Sequence, residues 1–168
     1  MALPFALPEP AVLGDLMSTY TAIIRWTRED DGDFAKGQYS RAHTWEFDGG
    51  VSVPASPSPH VVPAPWSDLN AVDPEEAFVA SLSSCHMLFF VDFARRAGLV
   101  IDDYVDEAEG ILEKRPDGKM AMTRVTLRPC ITWCGSAPDE SSIAELHDRA
   151  HEACFIANSV TTEVTIDQ

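Results

Sequence analysis

Basic side chains are scarce in this chain: 12 Lys plus Arg stand against 27 Asp plus Glu, a formal charge of −15 over 168 residues. So acidic a surface repels nucleic acid and anionic membranes, which argues against both as partners and favours a small neutral or apolar ligand. No basic leader accompanies the apolar opening MALPFALPEPAVLGDLM, and Pro4, Pro8 and Pro10 interrupt it, so it reads as neither a signal peptide nor a membrane span. The expected location is the cytoplasm. Cysteine is sparse as well, and four thiols in a chain without a secretion signal are expected to stay mainly reduced, any disulfide being transient and chemical. There is no internal repeat and no second composition regime. Residues 1–17 are therefore expected to form an irregular arm and residues 18–168 one domain, long enough to bury a core without staples.

What the sequence does have is one dominant helix signal, in DPEEAFVASLSSCHMLFFVDFARRAG from Asp73 to Gly98. Asp73 is placed to cap the first free N–H groups and Pro74 suits the first helical position. Glu75 and Glu76 favour the positive end of the dipole, and Gly98 ends the run just after Arg95 and Arg96. Phe78, Leu82, Cys85, Phe89 and Phe93 recur at helical spacing, and further apolar residues fill much of the remaining circumference, so the helix is expected to be covered on several sides. Its one polar patch is Ser83, Ser84 and His86 around Cys85.

Around this helix the chain reads as strands. Ser18 to Thr27 and Gln38 to Phe47 form a predicted hairpin, and Asp48-Gly49-Gly50 turns into a short strand at Val51 to Val53. A proline-rich loop over 54–72 then leads to the helix, and a loop of that length usually serves a function or a partner. After Gly98, Tyr104 to Lys114 and Lys119 to Trp133 form a second predicted hairpin about the turn Arg115-Pro116-Asp117-Gly118. Asp139 to Ala157 reads as an amphipathic helix and Val160 to Ile166 as a closing strand. The predicted order is β-β-β-α-β-β-α-β, an α+β fold with antiparallel sheets wrapped on two long helices.

Four groups of residues bear on chemistry. Cys85 reads first as a small core hydrophobe, since a buried thiol far from a helix start is inert without a nearby cation. Arg41 is the best candidate for that cation because it falls in the second predicted strand, with His43 and His86 as alternative polar partners. Glu75 or Glu76 can hold such an arginine through a bidentate pair. Cys130-x3-Cys134-x12-His147-x3-His151 fits zinc-finger spacing but is rejected as a metal site. Along a strand at ~3.3 Å per residue the two cysteines stand about 13 Å apart, too far for one tetrahedral ion. Cys154, late in the second helix, reads alone as packing, but with Cys85 it supplies the minimum for a thiol that is oxidised and a thiol that resolves it.

The stretches VDPEEAFVASLSSCHMLFF around Cys85 and AHEACFIANSV around Cys154 resemble the two signatures of the OsmC/Ohr family of organic hydroperoxide reductases, over roughly residues 18–168. The resemblance implies Cys85 as the peroxidatic thiol, Cys154 as the resolving thiol and Glu75 as the acid of the Pro-Glu pair. It also implies an activating arginine in the first hairpin or just before the core helix. Residues 48–74 contain no arginine, which leaves Arg41 for that role, while Phe155 stands where the family commonly has proline. An organic hydroperoxide as substrate, a lipoyl-type or thioredoxin-like dithiol as reductant, an intertwined homodimer and no metal or organic cofactor are the further implications. The rival readings are a member of the same fold that binds a small molecule without turnover, an interaction protein using the proline-rich loop, and a cysteine hydrolase with His43 or His86 as base.

Overall fold

The computed structural model describes residues 17–28 and 32–167, so the expected N-terminal arm lies outside the described residues except for Met17. These residues fall into two compact units that meet in the chain between Ala77 and Phe78.

The first unit holds an antiparallel sheet of β1 (Ala22–Arg25), β2 (His43–Phe47) and β3 (Ser52–Ala55), with Ile24 opposite Trp45 and Trp45 opposite Val53. The β2–β3 turn is the one the Asp-Gly-Gly signal predicts. Gly50 donates its N–H to the Phe47 carbonyl at a φ of 79°, a conformation costly for residues with a Cβ. β2 starts later than its alternation suggests, because residues just before it are recruited elsewhere: Phe34–Lys36 close a single 3-10 turn capped by Asp33, and Tyr39 stacks on Phe34 at 4.4 Å. Arg41 is thus not a strand residue; it precedes β2 and gives its backbone N–H to the Trp66 carbonyl. The proline-rich loop is pinched shut at its base, where Ser56 N–H bonds the Val72 carbonyl, Val72 N–H bonds the Pro54 carbonyl, and buried Ser56 Oγ accepts from Asp68 N–H.

α1 (Pro74–Arg96) has the predicted ends. Asp73 and Glu76 form a reciprocal capping box, each side chain accepting the other's backbone N–H at 2.7 and 3.2 Å. At the far end Leu99 N–H returns to the Ala94 carbonyl and Gly98 N–H to that of Arg95, a Schellman motif with Gly98 at φ 75°.

In the second unit the two long predicted strands each break in the middle. Residues 101–133 give β4 (Ile101–Asp106), β5 (Glu109–Lys114), β6 (Met120–Leu127) and β7 (Pro129–Trp133), so the order is β-β-β-α-β-β-β-β-α-β. β5 pairs with β6 and β4 with β7 in separate sheets, so the hairpin bends at Glu107-Ala108 and Arg128. The bend is fixed by polar groups: Asp106 accepts the Arg128 backbone N–H at 2.6 Å, and the Arg128 guanidinium reaches Glu109 at 2.7 Å. β8 (Glu163–Ile166) joins β6 in parallel, where a purely antiparallel arrangement was expected. α2 (Glu140–Ala153) is capped by Asp139 and ends before the predicted Ala157, with Cys154 as its C-cap.

α1 lies between two apolar clusters of this unit. Leu82 packs with Val125 and Leu127 of the β5-β6-β8 sheet, while Phe90, Phe93 and Ala94 pack with Leu146 and Ala150 of α2. The buried line therefore runs Leu82, His86, Phe90, Phe93, one position displaced from the predicted stripe at Cys85 and Phe89. Leu88 and Val91 remain exposed, so one side of the helix is left uncovered.

Candidate functional site

The displacement of the buried line puts Cys85 at the margin of the core, half-buried rather than enclosed. It opens on a pocket of about 450 Å³ formed by Ser81, Ser84, Cys85, Leu88 and Phe89 of α1 with Phe155 and Ile156. Asp92 also lines it, its carboxylate held at 2.7 Å by both Arg95 and Arg96. Phe155 is 59% exposed, yet its ring stands edge-on to Phe89 at 5.1 Å and 85°. The pocket is therefore largely apolar, with the Cys85 thiol among its lining groups.

Cys154 lies behind Cys85 and is the buried cysteine, 1% exposed. Because α2 stops at Ala153, the thiol sits at the helix end, where it accepts the Ala157 N–H at 3.4 Å and lies near enough to Cys85 for each thiol to affect the other's protonation. Burial, and then the neighbouring Cys85 thiol, push its pKa up to about 11, so at neutral pH it is a thiol and not an anion. The structure thus brings together the two cysteines that the sequence paired, one facing a cavity and one held protonated behind it.

Arg41 and Glu75 belong to the other unit and are not paired with each other. The Arg41 guanidinium bonds the Gly37 and Tyr39 carbonyls at 3.3 and 3.1 Å and lies 4.1 Å above the Tyr39 ring. Glu76, not Glu75, is taken by the capping box, and the side chain of half-buried Glu75 has no hydrogen-bond partner among the described residues. Of the histidines weighed as bases, His43 accepts the Trp45 indole N–H on Nε2 at 2.9 Å and meets the Arg41 carbonyl with Nδ1, so neither nitrogen is free. Cys130 and Cys134 are exposed, Cys130 in register with Val105, and the side chain of His147 turns to another partner.

That partner is one the sequence did not disclose. His86 Nε2 and His147 Nδ1 lie 2.9 Å apart with the rings nearly parallel, 5.2 Å between centroids, in a core that leaves them 1% and 2% exposed. The Phe90 ring lies against both, 4.2 Å from His147 and 6.5 Å from His86 between centroids. Their outer nitrogens, His86 Nδ1 and His147 Nε2, are buried without a hydrogen-bond partner. Burial is the main reason both imidazoles are lowered to about 4, with His151 adding to the effect on His86 and Asp106 opposing it, and His86 adding to the effect on His147.

Residues 67–168 match the model of the family described as OsmC-like protein. The chain belongs to the OsmC-like family. An OsmC-like protein of unknown function from Vibrio cholerae is 53% identical and superposes with a TM-score of 0.87 over 90% of this chain and 99% of its own. The organic hydroperoxide resistance protein OhrB of Bacillus subtilis, at 20% identity, covers 89% of this chain and 97% of its own with a TM-score of 0.63. A further organic hydroperoxide resistance protein, from Elizabethkingia anophelis, reaches 0.68 at 16% identity over 90% and 96%. Those two likenesses show the shared OsmC-like fold. No curated protein matches the sequence.

Proposed function

We propose that this OsmC-like protein reduces organic hydroperoxides to alcohols with Cys85 as the attacking thiol and Cys154 as the resolving thiol. The observation that carries the reading is the placement of a half-buried thiol on a largely apolar pocket with a second, buried and protonated thiol beside it. The Cys85 sulfur attacks the nearer oxygen of R–O–O–H, the O–O bond breaks and the alkoxide leaves as alcohol after gaining a proton. Cys85 is then a sulfenic acid, two electrons oxidised. Cys154 S–H condenses with it, forming the disulfide and releasing water, and an external dithiol of the lipoyl or thioredoxin type returns both thiols. Apolar walls favour hydroperoxides with an alkyl or aryl group.

The residues lining the pocket include no lysine, arginine or histidine. A desolvated thiol without a cation stays protonated, so the reading assigns activation to Arg41 within a homodimer, held by Glu75. The same absence favours a second reading, a protein of the same fold that binds an apolar ligand at Cys85 without turnover. Consumption of cumene hydroperoxide with dihydrolipoamide as electron donor separates the two: steady turnover supports the peroxidase, and saturable ligand binding without consumption supports the binder.

A further inference from the structure

The two thiols sit on different supports, Cys85 in α1 and Cys154 at the end of α2, so whether their sulfurs meet depends on how the helices are fixed against each other. Most of that contact is apolar side chains, which resist separation but tolerate sliding. Among the described residues one side-chain hydrogen bond joins the two helices, between His86 Nε2 and His147 Nδ1 at 2.9 Å. His86 follows Cys85 directly, and His147 lies two helical turns before Cys154 on α2. Both rings are enclosed, and the outer nitrogen of each is buried without a partner. A pair of apolar residues would fill this place without leaving two polar atoms unpaired, so packing alone does not call for imidazoles here.

We propose that His86 and His147 are positioning residues, a buried imidazole clamp that sets the register of α1 against α2 and thereby the closure of the Cys85–Cys154 disulfide. The inference rests on the reading of these cysteines as a redox pair. A directional bond of fixed length defines one arrangement of the helices, as polar pairs buried between apolar helices can. The clamp touches neither the pocket nor the substrate, so its loss must spare the attack on peroxide and impair the closing step.

The test separates these steps and does not need peroxide. Equilibration with oxidised and reduced glutathione converts the two thiols to a disulfide while one glutathione disulfide becomes two thiols, and intact mass reports the ratio. His147→Asn keeps an acceptor or donor where Nδ1 stood and His86→Gln keeps one where Nε2 stood, whereas His147→Leu and His86→Leu remove the bond. The expected result is that the leucine variants lose about tenfold or more in the closure equilibrium, a shift of about 30 mV for two electrons, while the amide variants stay within about threefold of wild type. Leucine variants that close like wild type, or amide variants that fail as badly, would overturn the clamp. Should a leucine variant not fold, reciprocity of coupling gives a reading on the wild-type chain: closing the disulfide must slow solvent exchange of the shared imidazole proton in ¹⁵N spectra, and unchanged exchange overturns it. A chain that closes the disulfide with glutathione but ignores hydroperoxide refutes only the peroxidase, and one that never closes it refutes the redox pair itself.

Discussion

Cys85 and Cys154 differ in surroundings more than in chemistry, and they are expected to fail differently. Cys85→Ser removes the only thiol on the pocket and should consume no hydroperoxide even in a single turnover. Cys154→Ser should still consume one equivalent, leaving a sulfenic acid that a dimedone-type probe labels and that excess peroxide drives to sulfinic acid. Equal behaviour of the two variants would remove the division of labour. Arg41→Met should slow Cys85 oxidation at pH 7 by about tenfold or more, one pKa unit being a tenfold change in thiolate. Arg95→Met, which breaks an exposed pair with Asp92, should change it little. Equal rates in stopped flow would rule out Arg41. The histidine pair makes a stability prediction. Both folded values, about 4, lie below the ordinary 6.5, so the unfolded chain binds more protons between them. The stability is complete above pH 6.5 and is lost as the pH falls toward 4. For His86 this is on the order of 2 to 3 kcal/mol after allowance for screening. Urea midpoints should fall from pH 7.5 to 5 in wild type by more than in the His86→Gln/His147→Asn double variant; parallel curves would contradict it.

At the scale of elements, close approach of β5 to α1 depends on Gly110, where an added Cβ would collide with the Met122 methyl and Val79 Cγ2. Gly110→Ala should therefore destabilise the chain by about 1 to 3 kcal/mol, measurable by urea unfolding, and an unchanged midpoint would show that the sheet can shift. Both helices and the glycine turns were legible in the sequence because their signals are local: the Asp73–Glu76 box, Gly98 past the last turn, and Gly50 and Gly118 in hairpins. The bend that splits each long strand was not, since it depends on Asp106 and Arg128, 22 residues apart, meeting across the hairpin. The same limit hid the site. Helical spacing located Cys85 on α1 but gave the buried line a one-position error, and that error decides whether the thiol faces a pocket or the core. His86 and His147, 61 residues apart, give no sign in the sequence that they touch.

For the whole molecule, α1 is long and apolar enough to cross a membrane by length and composition, a property shared with core helices of soluble proteins. Leu88 and Phe155, 65% and 59% exposed, leave the pocket mouth uncovered in one chain. Glu75 and Cys85 are ten residues apart on one unbroken helix, about 15 Å along its axis at ~1.5 Å per residue. Both observations support the proposal that the working species is a homodimer, in which a second copy covers the apolar face and supplies Arg41 and Glu75. Light scattering at micromolar concentration should give twice the chain mass; an active monomer would contradict it. The central claim is tested most directly on the intact wild-type chain treated with one equivalent of cumene hydroperoxide and weighed by mass spectrometry. The account predicts a chain lighter by two hydrogens, with Cys85 and Cys154 joined within it and Cys130 and Cys134 free. A chain of unchanged mass, or Cys85→Ser protein that reacts as fast as wild type, would contradict it.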